Sequence, residues 1–201
     1  MQLGPVTLDG TFVRLEPLRN DHRQALIRTA QSVEIWSWML SDLSVPERFD
    51  AWLSHSLEDE RLGRAYPFVV IDKACGQVVG STRYLNIHEP DKGLEIGSTW
   101  YSPTVWGSVI NPEAKLLLMR HAFDQWGAIR LEYRTDHRNA HSQAAIRKLG
   151  AKYEGMLRNH RIRADGTIRH TVVFSITREE WPDIQTRLQK RIDAYRQVDV
   201  L

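Results

Sequence analysis

Apolar and polar residues alternate with period two in some blocks of the chain and recur every three to four residues in others. Residues 11 to 18, TFVRLEPL, have the two-residue period of a first strand, closed by Pro17. From Asn20 to about Ile35 the spacing turns helical, with Asn20 or Asp21 as cap. The tryptophan-bearing stretch WSWMLSDLSV reads as a loop, and a second helix starts near Pro46 and carries Phe49, Trp52, Leu53 and Leu57. YPFVVID and VVGSTRYLNI, parted by KACGQ, form a hairpin, and HEPDKG then turns the chain into a strand over Leu94 to Tyr101.

The next block predicts a helix over Pro112 to Gln125, since Ala114, Leu117, Leu118, His121, Ala122 and Gln125 share one face. Asn111 is its expected cap, Pro112 suits the first turn, and Glu113 places a carboxylate at the positive end of the dipole. A strand at 129 to 136 follows, then a short helix capped by Asn139 and ended by Gly150. AKYEGMLRNHRIR and TIRHTVVFSI make two strands around the turn ADG at 164 to 166. Trp181, Ile184, Leu188, Ile192 and Tyr195 then line one face of a last helix. The order β, α, α, β, β, β, α, β, α, β, β, α predicts an α+β fold: a mixed central sheet flanked by helices, with an extra C-terminal helix. No linker or repeat divides residues 1 to 201, so one domain is expected.

The strand-to-helix loop WGSVIN at 106 to 111 presents successive amides at a helix N-terminus, a natural seat for a diphosphate. An ordinary connection without ligand is the competing reading. Composition narrows the classes further. With 42% hydrophobic and 26% charged residues and no apolar run near the roughly 20 residues of a membrane span, no membrane partner is expected. The opening MQLGPVTLDG has neither the basic nor the hydrophobic segment of a leader, so a cytoplasmic location follows by default. Cys75 is the single cysteine, which excludes an intramolecular disulfide and a cysteine-built zinc site. A net charge of +2 does not call for nucleic acid. Trp181, Pro182 and Asp183 spell a phosphatase loop, but Cys75 is followed six residues later by Ser81 instead of arginine. His137 and His141 have metal-pair spacing without a third ligand, so no metal is expected.

Taken together, LDGTFVRLEPL, GSTRYLNI, LEIGSTWYSPTVWG, NPEAKLLLMRHAF, GAIRLEYRTDHRNAHSQAAIRKLGAKYEGMLRNH and TVVFSITREEW resemble the GNAT superfamily of N-acetyltransferases. The likeness is to the branch that includes the Rim-type ribosomal-protein N-acetyltransferases. It implies acetyl-CoA as co-substrate. By the resemblance, Ile96, Gly97 and Ser98 lie on the strand that pairs with the pantetheine arm. Trp106, Gly107, Ser108, Val109, Ile110 and Asn111 form the pyrophosphate loop, and Asn139 and Ser142 stand near the pantetheine and the sulfur. Val109 departs from the family, whose loop commonly has glycine there, and a β-branched residue resists positive φ. Phe174 stands where relatives have tyrosine.

Acetyl transfer to an amine needs a neutral nucleophile, a donor to the developing oxyanion and a proton for the thiolate. At pH 7 a lysine amine is neutral about once in 2,500 molecules, an α-amine roughly once in ten, so an α-amine asks less of a base. Glu95 is the candidate base, with an exposed strand carboxylate as the bland alternative, and Ser142 is the candidate donor to sulfur. Trp36 and Trp38 are placed by the resemblance beside the acceptor, although core packing is the commoner use of tryptophan. His160 is a second candidate base on the acceptor side. The expected function is transfer of acetyl from acetyl-CoA to a protein α-amine or a small amine through a ternary complex. The alternatives are a noncatalytic CoA-binding module or an RNA- or ribosome-associated one using Arg158, Arg161, Arg163 and Arg169. The apolar face of the last helix either closes the core or meets a second subunit, and a homodimer is the expectation carried forward.

Overall fold

The computed structural model describes residues 4–163 and 165–198. Its strands are β1 (Leu8–Asp9), β2 (Val13–Pro17), β3 (Tyr66–Asp72), β4 (Gln77–His88), β5 (Gly93–Tyr101), β6 (Arg130–Asp136), β7 (Lys152–Ile162) and β8 (Ile168–Thr177). They form one sheet in the order β1-β2-β3-β4-β5-β6-β8-β7. Every pairing is antiparallel except β5 with β6. The helices are α1 (Arg23–Thr29), α2 (Pro46–Arg61), α3 (Ile110–Arg120), α4 (Ala140–Leu149) and α5 (Trp181–Val198).

Two cores lie on opposite faces of this sheet. Leu26, Phe49 and Leu53 of α1 and α2 pack with Val69 and Trp100 on one face. On the other, Ala114, Leu118, Ile146, Ile184 and Leu188 of α3, α4 and α5 pack with Val70, Leu131 and Phe174. The apolar face of α5 therefore closes the core, and Trp181, Ile184, Leu188 and Ile192 are all buried there.

Three elements differ from the sequence reading. The helix expected from Asn20 to Ile35 is split into a 3-10 turn at Asn20–His22, α1, and a second 3-10 turn at Val33–Trp36. Its last α-helical residue, Thr29, donates through Oγ1 to both Ala25 O and Val78 O, and Trp36 Nε1 donates to Ala30 O. These contacts reach across to β4 and fold the chain back, which helical spacing alone does not encode. A short β1 precedes the expected first strand. Within the ADG turn, Ala164 lies outside the described residues, and Gly166 has φ +79°.

The third difference concerns α3. It begins at Ile110 rather than Pro112, with Val109 as N-cap, and continues past Arg120 as a π-helical turn to Trp126 before Gly127 stops it at φ +80°. Asn111 does not cap it. Ser108 Oγ accepts from Ile110 N at 3.2 Å instead. Glu113 also has a larger part than a dipole partner. Its carboxylate accepts from Thr11 N (2.8 Å), Phe12 N (2.7 Å) and Val13 N (2.7 Å), which ties the β1–β2 turn to the first turn of α3.

Two positions further on, Lys115 is buried with its Nζ on Thr99 Oγ1 at 2.6 Å and Thr82 Oγ1 at 3.0 Å. Both partners are neutral, and burial pushes the amine down to about 7. Between that value and the roughly 10.4 of an unfolded lysine, the unfolded chain binds more protons, so stability rises with pH in this window. The slope contributed by one such group is at most about 1.4 kcal/mol per pH unit. In Lys115→Met, Thr82 and Thr99 retain each other at 2.8 Å. Urea unfolding at pH 7 and pH 9 is expected to show the rise in the natural chain and its loss in the variant.

Candidate active site

The sheet forks between β5 and β6. Their parallel ladder holds Gly93 to Arg130, Leu94 to Leu131 and Glu95 to Glu132, and ends there. From Ile96 to Tyr101, β5 remains paired with β4 but among the described residues has no strand on its other side, while β6 continues along β8. A bulge adds to the opening: Arg83 faces Gly97, yet Ser81 faces Trp100, so β5 carries an extra residue between them. Ser98 in the bulge has φ +46°, unusual for a residue with a side chain. Ile96, Gly97 and Ser98 thus lie where the main chain of β5 is free to take an extended ligand as its next strand partner.

Glu95 sits at the crotch of the fork. It is 6% exposed, which disposes of the reading as a solvated strand carboxylate. Asn86 Nδ2 donates to its Oε2 at 2.7 Å, and Arg134 Nε lies 3.4 Å from the same oxygen. Burial raises its pKa, against the lowering effect of the Asn86 hydrogen bond and the Arg134 charge. Oε1 lies over Gly97, where a Cβ would come within 2.6 Å of it. Glycine at 97 therefore makes room for the carboxylate.

Around Glu95 the face of β6, β8 and β7 is lined by ion pairs. Arg130 joins Glu132 at 2.9 Å and Glu154 at 2.5 Å, and Arg134 joins Glu132 at 2.8 Å. The basic residues read from sequence as an RNA surface do not share one exposed patch: Arg163 is buried and held on Asp136 at 2.6 Å.

The loop before α3 reaches the fork from the far end of β5. Gly107 has φ +77° with open space where a Cβ would be. Val109 has φ −72° and ψ −16°, an ordinary helical conformation, and its side chain is buried in the core. The β-branched residue thus meets no backbone conflict, because the left-handed step of the loop falls at Gly107. Among the described residues no acceptor is recorded for the amides of Gly107, Val109 or Asn111. Free amides at a helix N-terminus fit a diphosphate. Trp106 is half exposed, donates through Nε1 to Tyr101 O, and lies 6.2 Å from the His141 ring.

At the head of α4, Asn139 is the N-cap, accepting from Ser142 N at 2.9 Å. Ser142 is half-buried. Glu95 and Ser142 are not in contact. Glu95 belongs to the face covered by α1 and α2, and α4 packs on the other through Ile146 and Leu149.

The acceptor-side residues are spread more widely. Trp36 is buried against Trp100 at 5.3 Å, with its N–H satisfied, and belongs to the core. Trp38 is exposed and lies under the Arg138 guanidinium at 5.4 Å. His160 bonds Thr171 Oγ1 at 3.0 Å and lines a shallow depression of about 820 Å³ on β7 and β8, with Met156, Leu157 and His170. Burial and then the charges of Arg161, Arg134 and Arg169 push its pKa down. Asn86, Arg134 and Arg83 were missed from sequence. Only the strand register brings them beside Glu95. Among the described residues no group of side chains is arranged to hold a metal ion, and no helix is long and apolar enough to cross a membrane.

Residues 13–152 match the model of the acetyltransferase (GNAT) domain. The chain belongs to the GNAT acetyltransferases. Its fold is similar to a GCN5-related N-acetyltransferase from Brucella melitensis at TM-score 0.88 and 28% identity, over 94% of this chain and 86% of that one. A protein of T. thermophilus assigned as an acetyltransferase aligns at TM-score 0.85 and 34% identity, over 95% and 99% of the two chains. Mycobacterium smegmatis RimJ, solved in complex with CoA-disulfide, aligns at TM-score 0.78 and 25% identity, over 94% and 93%. No curated protein sequence matches the chain. As a GNAT protein it is an acetyl-CoA-dependent acetyltransferase, and the forked sheet belongs to that fold.

Proposed function

We propose that this acetyltransferase transfers the acetyl group to a primary amine by direct attack within a ternary complex. The observation that carries the reading is the buried Glu95 at the fork, beside a β5 edge that has no strand partner. The CoA complex of the related RimJ supports a CoA site on this fold. In this reading the amides of Gly107, Val109 and Asn111 hold the pyrophosphate, with Trp106, Ser108 and Ile110 shaping the loop. Ile96, Gly97 and Ser98 align the thioester arm through the main chain, and Asn139 fixes the α4 turn that presents Ser142.

Glu95 takes the proton from the incoming ammonium, directly or through water, and the freed lone pair forms the C–N bond. The open amides of β5 donate to the carbonyl oxygen as it gains charge. As the C–S bond breaks, the Ser142 hydroxyl gives its proton to sulfur and the newly bonded nitrogen gives its surplus proton to water, while solvent restores Ser142 and takes the proton held by Glu95. The amine enters on the face of α1 and α2, the sulfur leaves on that of α4, and Trp38 and His160 border the entrance. A cytoplasmic location is part of the same proposal. So is a homodimer, for which the exposed Tyr153, Met156, Leu157 and Ile162 of the edge strand β7 offer an apolar contact now that α5 is used internally. Mass measurement in solution tests the dimer.

The direct test is a thermal shift with acetyl-CoA, followed by an acceptor panel read as free CoA and acetylated product. A shift with no product from α-amino peptides or small amines refutes amine transfer. The loop has its own test. Gly107→Val forces a β-branched residue to a positive φ, costing about 1–3 kcal/mol. It is expected to weaken acetyl-CoA binding roughly 10-fold or more in calorimetric titration. Unchanged affinity removes the loop from the site.

A further inference from the structure

Most arginines near the fork have a carboxylate. Arg83 does not. On β4 it sits directly across from Gly97, two residues along from the Leu85–Glu95 pair, so its side chain projects from the same face of the sheet as Glu95. It is 7% exposed. Among the described residues its guanidinium donates one hydrogen bond, from Nη2 to Ser56 Oγ at 2.8 Å, and its Nε is buried without a partner. Ser56 is itself a neutral, buried residue whose hydroxyl proton goes to Trp52 O. Asp59 is the acidic residue whose field reaches Arg83, but its carboxylate is engaged by Arg64 at 2.8 Å and His55 at 3.4 Å.

Arg83 lies over the Trp52 ring at 5.6 Å, and Trp52 meets Trp100 at 6.1 Å. Trp100 Nε1 is a second buried donor with no partner. Two orphan N–H donors therefore share one aromatic-walled patch, on neighbouring strands beside the proposed base. Burying a cation without a counter-charge is expensive, and the desolvation is visible in the Arg83 guanidinium, which burial pushes down to about 10. A rigid guanidinium fork with a free Nε is a receptor for a planar anion, and a carboxylate matches its geometry.

Resting on the reading of Glu95 as base, we propose that the acceptor is an amine carrying a carboxylate a few bonds away, with Arg83 binding the carboxylate while Glu95 receives the amine. Cross-strand spacing puts the two α-carbons about 8 Å apart on one face, so one short molecule spans both groups. A free amino acid and a peptide with an acidic residue at its N-terminus both have this chemistry.

The test is a panel of ω-amino acids with one to five carbons between the groups, each paired with the n-alkylamine of equal length. Short peptides beginning with aspartate or asparagine form the second arm. Carboxylate acceptors are expected to exceed their neutral partners roughly 30-fold or more in kcat/KM. The arm with the higher kcat/KM distinguishes a free amino acid from a peptide. Arg83→Met is expected to bring the carboxylate acceptors down to the level of the neutral ones, and Arg83→Lys, which retains the charge but not the fork, to fall between. If Arg83→Met does not fold, Arg83→Lys and the resonance below decide.

A readout independent of turnover is the NMR signal of Arg83 Nε–H in the CoA-bound protein, which carboxylate acceptors should move and n-alkylamines should not. Equal use of neutral and carboxylate amines, or an Nε–H signal that no carboxylate moves, overturns the role of Arg83 and leaves amine acetylation standing. No acetylated product from any amine overturns amine acetylation, and the Nε–H titration still decides Arg83.

Discussion

Glu95→Gln is expected to lower turnover about 100-fold or more, and to leave acetyl-CoA affinity unchanged. Glutamine has the same size and still accepts from Asn86, whose Nδ2 lies 2.7 Å from the carboxylate, so the fork retains its shape. What the variant lacks is a group that takes a proton. The pH dependence supplies a sharper criterion. Burial raises the Glu95 pKa above its ordinary value of 4.5. A base works deprotonated, so activity should fall as pH falls through that raised pKa, giving an acid limb displaced upward from that of an ordinary glutamate. The limb attributable to Glu95 should vanish in the glutamine variant. Unchanged turnover of Glu95→Gln across the pH series would remove the residue from the mechanism and leave His160 as the base to test.

The second large effect concerns stability. Glu113→Ala removes the acceptor of three amides, those of Thr11, Phe12 and Val13, at 2.7 to 2.8 Å. Each bond to an ionised group is worth about 1.5–3 kcal/mol, and the amides left behind are only partly able to reach water. A loss of about 5 kcal/mol is expected, which for a chain of this size lowers Tm by roughly 10–20 °C. Differential scanning calorimetry measures it. A Tm within about 2 °C of the natural protein, less than the shift roughly 1 kcal/mol gives at this size, would show that the turn finds other partners. Gly10 belongs to the same joint, since a Cβ there would come 2.7 Å from the Glu113 carboxyl carbon.

These two carboxylates mark how far the residues speak for themselves. The strand readings located seven of the eight strands described, and the helical faces of α2 and α5 are buried as their spacing required. Asn139 caps α4 and Gly150 ends it in the left-handed region at φ +105°, because both signals act within a few residues. Glu113 misled because the local rule, a carboxylate at a helix start, is true but minor beside partners about 100 positions away. The bulge at Ser98 was invisible for a related reason. A serine has no local signature for positive φ, and its conformation follows from the mismatch in register between β4 and β5. The strand-to-helix junction located the loop at 106–111, but the harmlessness of Val109 needed a backbone angle. The neighbours that tune Glu95, Asn86 across the hairpin and Arg134 across the fork, required the assembled sheet.

The Glu113 tie also bears on how the first turn of α3 stays put. That helix is fastened from behind, one turn from its start, to the β1–β2 turn. A sliding or tilting movement of α3 has to shear all three of those amide bonds together. If the proposed CoA site is right, the incoming nucleotide meets a fixed abutment there instead of a hinge.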